Sequence, residues 1–300
     1  MKKKILFRGL ATALVTPMRD DKLDFKALSK IIDMQIDAGV EALVIGGTTG
    51  EASTLSEKER KALFEAAKEM TDGRCTLILG TGSNDTKKAI EYTRLAEHIG
   101  ADGALVVTPY YNKGTKEGIT KHYLTIASAC DIPILLYNVP SRTGVNLGIE
   151  AIEELSEVES IVGIKEASDS TDRLTEISAF GDAMPIYAGN DSQIAVTMAL
   201  GGYGAISVAS NIIPERMLEL MNNCQLCKYN LAKEKQNALL PFIKSLFLAT
   251  NPAPIKYLMA RIGLIKNDIR LPLCLPDERT IAVIEKEYSL LVSNMTHESK

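Results

Sequence analysis

The chain has 300 residues, 46% of them hydrophobic and 24% charged, which is the composition of a globular protein long enough to bury a sizeable core. Its formal net charge of −4 argues against a nucleic acid or an anionic membrane as the main partner. No apolar run is long enough to span a membrane, and the residues after Lys4 lack the apolar core of a signal peptide, so we expect a cytoplasmic protein.

Short apolar runs dominate the first two thirds of the chain, and each ends in glycine, proline or hydroxyl-bearing residues. They lie at 10–17, 40–51, 75–85, 103–112, 132–144, 160–168, 184–191 and 204–211. Near-continuous Val, Ile and Leu runs are typical of parallel strands covered on both faces. Segments with helical spacing separate them, at 25–38, 56–71, 85–99, 115–129 and 190–201. Eight strands alternating with helices predict an α/β fold, the TIM (β/α)8 barrel.

A doubly wound sheet is the rival architecture, but no GxGxxG motif follows the first predicted strand. The strand pattern stops at Pro214, and the rest of the chain has helical spacing at 215–226, 228–248, 253–262 and 277–294. The breaks between these segments, NPAP and LPLCLP, do not form a linker. We therefore expect a barrel at 1–213 and a C-terminal helical extension at 214–300 that packs on it.

The cysteines and histidines lack the spacing of a metal site. Cys224 and Cys227 form a CxxC pair without a second pair nearby, and we interpret them as two small residues on a helix. The histidines, His98, His122 and His297, fall on predicted helices or in the C-terminal tail. We expect no metal, and five free thiols because the cysteine number is odd and no secretion signal is present.

In a TIM barrel, catalytic residues lie at the carboxyl ends of the strands. Those positions hold many hydroxyl groups, one lysine and one arginine, but no histidine: Thr16, Thr48, Thr49, Gly50, Glu51, Thr81, Asn84, Tyr110, Tyr111, Tyr137, Asn138, Arg142, Lys165, Glu166, Gly189, Asn190, Asp191 and Ser207. A serine or cysteine triad would lack its base, and a zinc-dependent aldolase would lack its ligands.

Lys165 directly follows the apolar residues IVGI in a predicted strand. Burial disfavours an ammonium group and lowers the pKa of an amine from its usual value of about 10.4. A neutral amine attacks a carbonyl carbon and forms a Schiff base. The alternative is an ion pair between Lys165 and Glu166, but neighbouring residues of a strand point to opposite faces. We therefore predict that Lys165 is the nucleophile.

Two further motifs suit a small anionic carbonyl substrate. The GGTTGE motif at 46–51 combines glycines with two hydroxyls, an arrangement that holds a small anion; the alternative is a tight turn with a helix cap. In the motif YNVPSRTG, Tyr137 at a strand end can transfer protons if other hydroxyls assist it. Arg142, in the predicted loop that follows, could bind a carboxylate with two hydrogen bonds or could be a solvated loop arginine.

These motifs are similar, in order and spacing, to those of the dihydrodipicolinate synthase (4-hydroxy-tetrahydrodipicolinate synthase) family. The resemblance covers nearly the whole chain, through GLATALVTPM, GGTTGE, TPYYNK, YNVPSRTG, GIKEAS, AGND and NPAPIKYLM. It implies a lyase of the class I aldolase type that condenses pyruvate with L-aspartate-4-semialdehyde in diaminopimelate and lysine biosynthesis. It also implies a homotetramer, a dimer of dimers, and no cofactor beyond the lysine itself.

The resemblance further implies a role for each candidate catalytic residue. Lys165 would form the Schiff base with pyruvate. Tyr137, Thr48 and Tyr111 would form a proton relay, with Tyr111 reaching in from a neighbouring subunit. This last role comes from the resemblance alone, whereas Lys165 and Tyr137 are also candidates from their positions at the ends of predicted strands.

The substrate-binding residues implied by the resemblance include Thr49, which with the neighbouring threonine would hold the carboxylate of pyruvate. Arg142 would receive the carboxylate of aspartate semialdehyde, and Gly189 and Ile206 would line the pocket. Sibling enzymes, the N-acetylneuraminate lyases and 2-keto-3-deoxy sugar acid aldolases, are the alternative. Arg142 favours the synthase, because a polyol-binding sibling would need hydroxyl-directed groups instead of a cation. A non-catalytic ligand-binding barrel is a third hypothesis, which predicts no covalent adduct.

Lysine inhibits some members of this family at a site beside the threonine loop, which is the GGTTGE motif at 46–51. Asn84 and Tyr110 match the residues of that site in inhibited members. Glu57 and Arg60, however, stand where strongly inhibited members have histidines, and Lys88 stands where they have a glutamate. Because a like charge repels the ammonium group of lysine, we predict weak or absent inhibition by a degenerate site.

Overall fold

The structure, a computed structural model, describes residues 3–298, with side chains described up to residue 293. Eight parallel strands form a closed barrel in which each strand pairs with the neighbouring strands of the sequence, and the last pairs with the first. The predicted TIM barrel is therefore confirmed. Its strands are β1 (Gly9–Ala13), β4 (Ala42–Ile45), β5 (Thr76–Gly80), β6 (Gly103–Val107), β7 (Ile134–Asn138), β8 (Ile161–Glu166), β9 (Ile186–Ala188) and β10 (Gly204–Ser207); β2 (Met18–Arg19) and β3 (Lys22–Leu23) form a small hairpin.

Helices surround the barrel, because the chain passes from one parallel strand to the next through helices that bury their apolar faces against the sheet. They are α1 (Phe25–Ala38), α2 (Glu57–Thr71), α3 (Thr86–Ile99), α4 (Lys116–Ala129), α5 (Pro140–Thr143), α6 (Ile149–Ser156), α7 (Thr171–Ser178), α8 (Ile194–Ala199) and α9 (Pro214–Gln225). The three short helices α5, α6 and α7 lie outside the helical segments predicted from spacing. Ser56 caps α2 with the capping box that its spacing to Glu59 indicates.

The C-terminal part of the chain is helical, as predicted, with α10 (Tyr229–Ser245), α11 (Ala253–Arg261) and α12 (Glu278–Glu298). Helix α9 contacts α1, α8 and β1, so it completes the ring of helices around the barrel. The division of the chain at residue 213 stays a proposal, because α9 contacts both these elements of the barrel and the next helix, α10. Among the described residues, no helix has the length and apolarity needed to cross a membrane.

The interior of the barrel is filled at its amino-terminal end. The ring of Phe7 stacks on that of Tyr187 with 4.5 Å between the ring centroids, and the hydroxyl of Tyr187 donates to the main-chain oxygen of Phe7 at 2.9 Å. Arg8 lies over the ring of Tyr203, 4.1 Å from its centroid. Because this end is packed with aromatic side chains, the opposite end, where the strands carry their carboxyl termini, is the open one.

All five cysteines are free thiols, as predicted. Cys224 is buried near the end of α9, and burial raises the pKa of its thiol to about 11. Cys227 is exposed and lies beyond the end of α9, with a φ of 54°. The prediction that both cysteines lie on a helix is therefore wrong for Cys227, because the helix ends between them. The side chain of His297 lies outside the described residues.

Candidate active site

A cavity of about 540 Å³ opens at the carboxyl ends of the strands, where the sequence predicted the site. It lies against the threonine loop, the ends of β5, β6 and β7, helix α5 and the segment that begins α11. Its polar lining groups include Thr48, Glu51, Arg60, Asn84, Lys88, Tyr92, Tyr110, Tyr137, Arg142 and Asn251. Cationic and hydroxyl groups therefore predominate, which suits an anionic ligand with a reactive carbonyl.

Lys165 and Tyr137 lie side by side at the ends of two neighbouring strands, and Tyr137 is the one of the pair that lines the cavity. They are directly paired in the register of β7 and β8, and both side chains are nearly fully buried. The Nζ atom of Lys165 lies 4.5 Å from the centroid of the Tyr137 ring, while Tyr137 itself lines the cavity. An amine and a phenol are thus held together on two adjacent strands, where one can attack a carbonyl and the other can transfer a proton.

Glu166 is the neighbour of Lys165 in β8 and points to the other face of the sheet, as the alternation of a strand requires. Its carboxylate pairs with the guanidinium of Arg173 at 2.9 Å and accepts hydrogen bonds from the side chain of Asn138 and the main chain of Ser168. Glu166 is completely buried. Its charge is therefore satisfied on the outer side of the barrel, and Lys165 is not its ion-pair partner.

Asp191 contributes a second buried carboxyl group near the amine. It follows β9 and accepts hydrogen bonds from the main-chain N–H groups of Val208 and Ala209, at 3.0 and 2.8 Å, which fixes the turn after β10. Burial raises the pKa of Asp191, while the N–H of Ala209 and the positive charge of Lys165 act in the opposite direction. Asp191 thus shares the electrostatic environment of Lys165.

The threonine loop is a compact turn after β4. The N–H of Gly50 donates to Gly47 at 3.1 Å and the N–H of Glu51 donates to Thr48 at 3.1 Å, while the hydroxyl of Thr16 donates to the main-chain oxygen of Gly50 at 2.7 Å. Glu51 has a φ of 54°, a left-handed conformation that is strained for a residue with a side chain. Its surroundings must therefore hold the loop in place.

Lys256 of α11 provides that support. Its Nζ atom lies 2.5 Å from the Glu51 carboxylate, both side chains are 1% exposed, and the main-chain N–H of Arg270 donates to the same carboxylate at 3.1 Å. Burial lowers the pKa of Lys256, while the negative charge of Glu51 acts in the opposite direction. This buried ion pair connects the C-terminal helices to the threonine loop.

Thr49, Asn251 and Arg142 form a second connection. The side-chain amide of Asn251 donates to the hydroxyl of Thr49 at 3.0 Å, and the main-chain oxygen of Asn251 accepts from the Arg142 guanidinium at 3.1 Å. Arg142 lies in α5, a single helical turn that begins at Pro140, so the prediction of a loop at this position is wrong. The proline at the first helical position favours this turn.

Three other predicted residues lie at the strand ends but differ in exposure. Ile206 is completely buried inside the barrel, in the same apolar cluster as Tyr137. Gly189 packs so closely on Glu166 and its neighbour that an added Cβ would lie 2.7 Å from the main-chain oxygen of Glu166. Tyr111, in contrast, is 89% exposed with a φ of 73°, and it does not line the cavity of its own chain.

Four of the five residues of the predicted regulatory site line the same cavity, and Glu57 does not. Asn84, Tyr110, Arg60 and Lys88 line it. Lys88 forms an ion pair with Glu57 at 2.6 Å, and this contact lowers the pKa of the Glu57 carboxyl. The cation at position 88 is thus held at the mouth of the cavity.

Arg60 is buried, and main-chain oxygens accept its hydrogen bonds, Gly80 at 3.1 Å and Ala52 at 2.7 Å. Its guanidinium carbon lies 4.3 Å from the centroid of the Tyr92 ring, a cation–π contact. Burial lowers the pKa of Arg60, while Tyr92 acts in the opposite direction. The predicted site therefore contains a second positive charge, which is buried.

Asn251 and Lys256 are the site residues that the strand-end pattern did not indicate. Both lie in the motif NPAPIKYLM, whose first residues, NPAP, mark a break between predicted helices and whose remainder belongs to the predicted helix at 253–262. A lysine in the middle of an otherwise apolar helical segment was the available signal for Lys256, because a buried charge requires a partner.

Comparison with known proteins gives one family for most of the chain. The model of the dihydrodipicolinate synthetase family matches residues 6–286. A 4-hydroxy-tetrahydrodipicolinate synthase of Alkaliphilus oremlandii is 46% identical over 89% of this chain and 93% of its own. The solved synthase of Methylacidiphilum fumariolicum superposes with a TM-score of 0.95 at 35% identity, covering 97% of this chain and 98% of its own. A structure described as a monomeric dihydrodipicolinate synthase variant superposes with a TM-score of 0.93 at 37% identity, covering 95% of this chain and 97% of its own. The chain belongs to the dihydrodipicolinate synthetase family.

Proposed function

We propose that this protein is a lyase of the class I aldolase type that condenses pyruvate with L-aspartate-4-semialdehyde to 4-hydroxy-tetrahydrodipicolinate, in lysine and diaminopimelate biosynthesis. The observation that carries the proposal is the buried amine of Lys165, whose Nζ lies 4.5 Å from the ring centroid of Tyr137, a residue that lines a cavity with hydroxyl and cationic groups. Membership of the family and the names of relatives at 40% identity and above support the same reaction. The sibling aldolases are not favoured by these relatives.

The unprotonated form of the Lys165 amine is the nucleophile of the first step. Its nitrogen attacks C2 of pyruvate, the carbonyl oxygen leaves as water, and a protonated Schiff base forms. Loss of a proton from the methyl carbon gives an enamine, since the positive nitrogen accepts the electron pair. The enamine carbon then forms a bond to the aldehyde carbon of the second substrate. Finally the substrate's amino group attacks C2 and expels Lys165, so one water is released overall. No metal or external cofactor takes part.

The other residues bind the two substrates and transfer protons in this scheme. Tyr137 and Thr48 exchange protons with the oxygen and carbon atoms that react, because both line the cavity. Thr48 and Thr49 bind the carboxylate of pyruvate through hydroxyls and the N–H groups of their loop. Arg142 binds the carboxylate of aspartate semialdehyde, for which a guanidinium has the matching geometry. Gly189 and Ile206 bound the space near the Schiff base.

Tyr111 supports the proposal of an oligomer. Its ring is exposed and its backbone is left-handed, so the side chain lies away from the cavity of its own chain. This is the arrangement expected of a residue that contributes to the site of a second copy. We therefore propose a tight dimer in which Tyr111 enters the partner's proton relay, and a homotetramer made of two such dimers. A monomeric relative shows that the family allows another state. A cytoplasmic location stays a prediction.

The decisive experiment is to trap the adduct. The protein is incubated with pyruvate and reduced with borohydride, and the modified residue is identified by mass spectrometry. The proposal requires one reduced pyruvate adduct on Lys165, and its absence in Lys165→Ala is the control. An adduct on another lysine, or none, would contradict it. Comparing aspartate semialdehyde with N-acetylmannosamine as the second substrate then separates the synthase from its siblings.

A further inference from the structure

Asn251 lies between the two groups that bind the anionic parts of the substrates. Its side-chain Nδ2 donates to Thr49 Oγ1 at 3.0 Å, and its main-chain oxygen accepts from Arg142 at 3.1 Å. The residue is buried and lines the cavity. One residue therefore contacts both binding groups, but it does so through different atoms, one of which belongs to the side chain and one to the backbone.

The direction of the first hydrogen bond determines what Thr49 can do. A hydroxyl group has one hydrogen to donate and two lone pairs that accept. Because the amide of Asn251 donates to Thr49 Oγ1, it occupies a lone pair and leaves the hydroxyl hydrogen for another acceptor. A carboxylate only accepts hydrogen bonds, so this orientation suits the carboxylate of pyruvate.

The position of Asn251 is fixed independently of the substrate. It comes two residues before α11, where the N–H of Ala253 donates to Thr250 at 2.9 Å. In the same helix, the buried pair between Lys256 and Glu51 attaches α11 to the loop two residues beyond Thr49. The donor and the hydroxyl are thus both fixed to one loop, which limits the entropy lost when the hydrogen bond forms.

We propose that Asn251 is a positioning residue that orients the hydroxyl of Thr49 toward the carboxylate of pyruvate, and that its backbone separately holds Arg142 for the second substrate. This proposal rests on the proposed function and assigns no contact between Asn251 and either substrate. It makes the two substrate affinities separable, because a substitution removes the amide but keeps the main-chain oxygen.

Two substitutions test the orientation. In Asn251→Ala the hydrogen bond is lost, and we expect the KM for pyruvate to rise by about 3- to 10-fold, the factor that one neutral hydrogen bond supplies. Asn251→Asp has the same shape but only accepts, so it turns the Thr49 hydrogen away from the substrate and adds a like charge. We expect a larger rise than for alanine. For both variants the KM for aspartate semialdehyde should change less than that for pyruvate, and by no more than about twofold for alanine, the size of the smallest hydrogen-bond effects.

The readouts separate this proposal from its rivals. Both KM values, the pyruvate concentration for half-maximal borohydride trapping, and Tm are measured for wild type, N251A, N251D and the control N222A, which changes an exposed asparagine on α9. Unchanged pyruvate affinity in N251D would mean that the amide accepts rather than donates, and would overturn the proposal. A larger rise in the KM for aspartate semialdehyde than for pyruvate would also overturn it, as would a lower Tm with both affinities unchanged. If N251A is too unstable to assay, the isosteric N251D decides. Failure of the proposed function is distinct, because wild type itself would then form no adduct on Lys165.

Discussion

Replacing Lys256 by methionine is expected to lower the free energy of unfolding by about 3–5 kcal/mol, the range measured when one partner of a buried ion pair is removed. The structure gives the reason. Both side chains of the pair are 1% exposed, so water cannot replace the ammonium. The carboxylate of Glu51 would keep one main-chain donor, the N–H of Arg270 at 3.1 Å. Methionine fills a similar volume, so the loss comes from the unpaired charge and not from a cavity.

A double-mutant cycle isolates this effect. Glu51→Gln alone leaves the Lys256 ammonium buried without a carboxylate and should destabilise the protein to a similar extent. The double variant has neither charge, and its glutamine can still accept from Arg270, so it should recover most of the loss. The free energy of unfolding is measured by urea denaturation at pH 7. Additive single effects, or a loss below about 1 kcal/mol for Lys256→Met, would refute the assignment, because a buried pair couples by more.

Three further predictions concern activity and pH. Tyr137→Phe should lower kcat by about 10²- to 10⁴-fold while the pyruvate adduct on Lys165 still forms; loss of the adduct would assign Tyr137 to binding instead. Sub-millimolar lysine should leave steady-state activity unchanged, and half-inhibition in that range would contradict the degenerate site. His122 is buried, which lowers its pKa from 6.5 to about 4. The unfolded chain therefore binds more protons between these values, and the stabilisation, complete above about pH 6.5, is lost as pH falls to about 4. The free energy of unfolding, measured by urea denaturation, should fall between pH 7 and pH 4 by about 3 kcal/mol more in wild type than in His122→Asn, since each pKa unit corresponds to about 1.4 kcal/mol. Equal decreases in the two proteins would exclude His122 as the cause.

The barrel could be predicted from sequence because its strands are buried on both faces. The run IVGI before Lys165 indicates such a strand without any knowledge of its neighbours, and the structure places β8 there. Tyr137 and Lys165 were both predicted as strand-end residues. They pair in the structure because their strands are neighbours in the barrel. Helix α5 around Arg142 was missed because one turn is too short to show helical periodicity.

The role of Asn251 could not be predicted for a different reason. Its hydrogen bond to Thr49 joins residues 202 positions apart. No local pattern encodes such a contact, and an asparagine before a proline is ordinary turn composition. The partner of Lys256 was likewise hidden, although the charge in an apolar helix indicated that a partner exists. Long-range polar contacts are thus the part of this site that only the structure reveals.

The separation of Thr49 and Asn251 along the chain has a consequence for synthesis of the protein. Thr49 leaves the ribosome well before Asn251, and at about 5–20 residues per second their separation of 202 positions corresponds to roughly 10–40 seconds. During that interval the strained turn at Glu51 exists without the ion pair from Lys256 that holds it. The contacts that hold the threonine loop are therefore completed only by the final fifth of the chain, after all eight barrel strands have been synthesised.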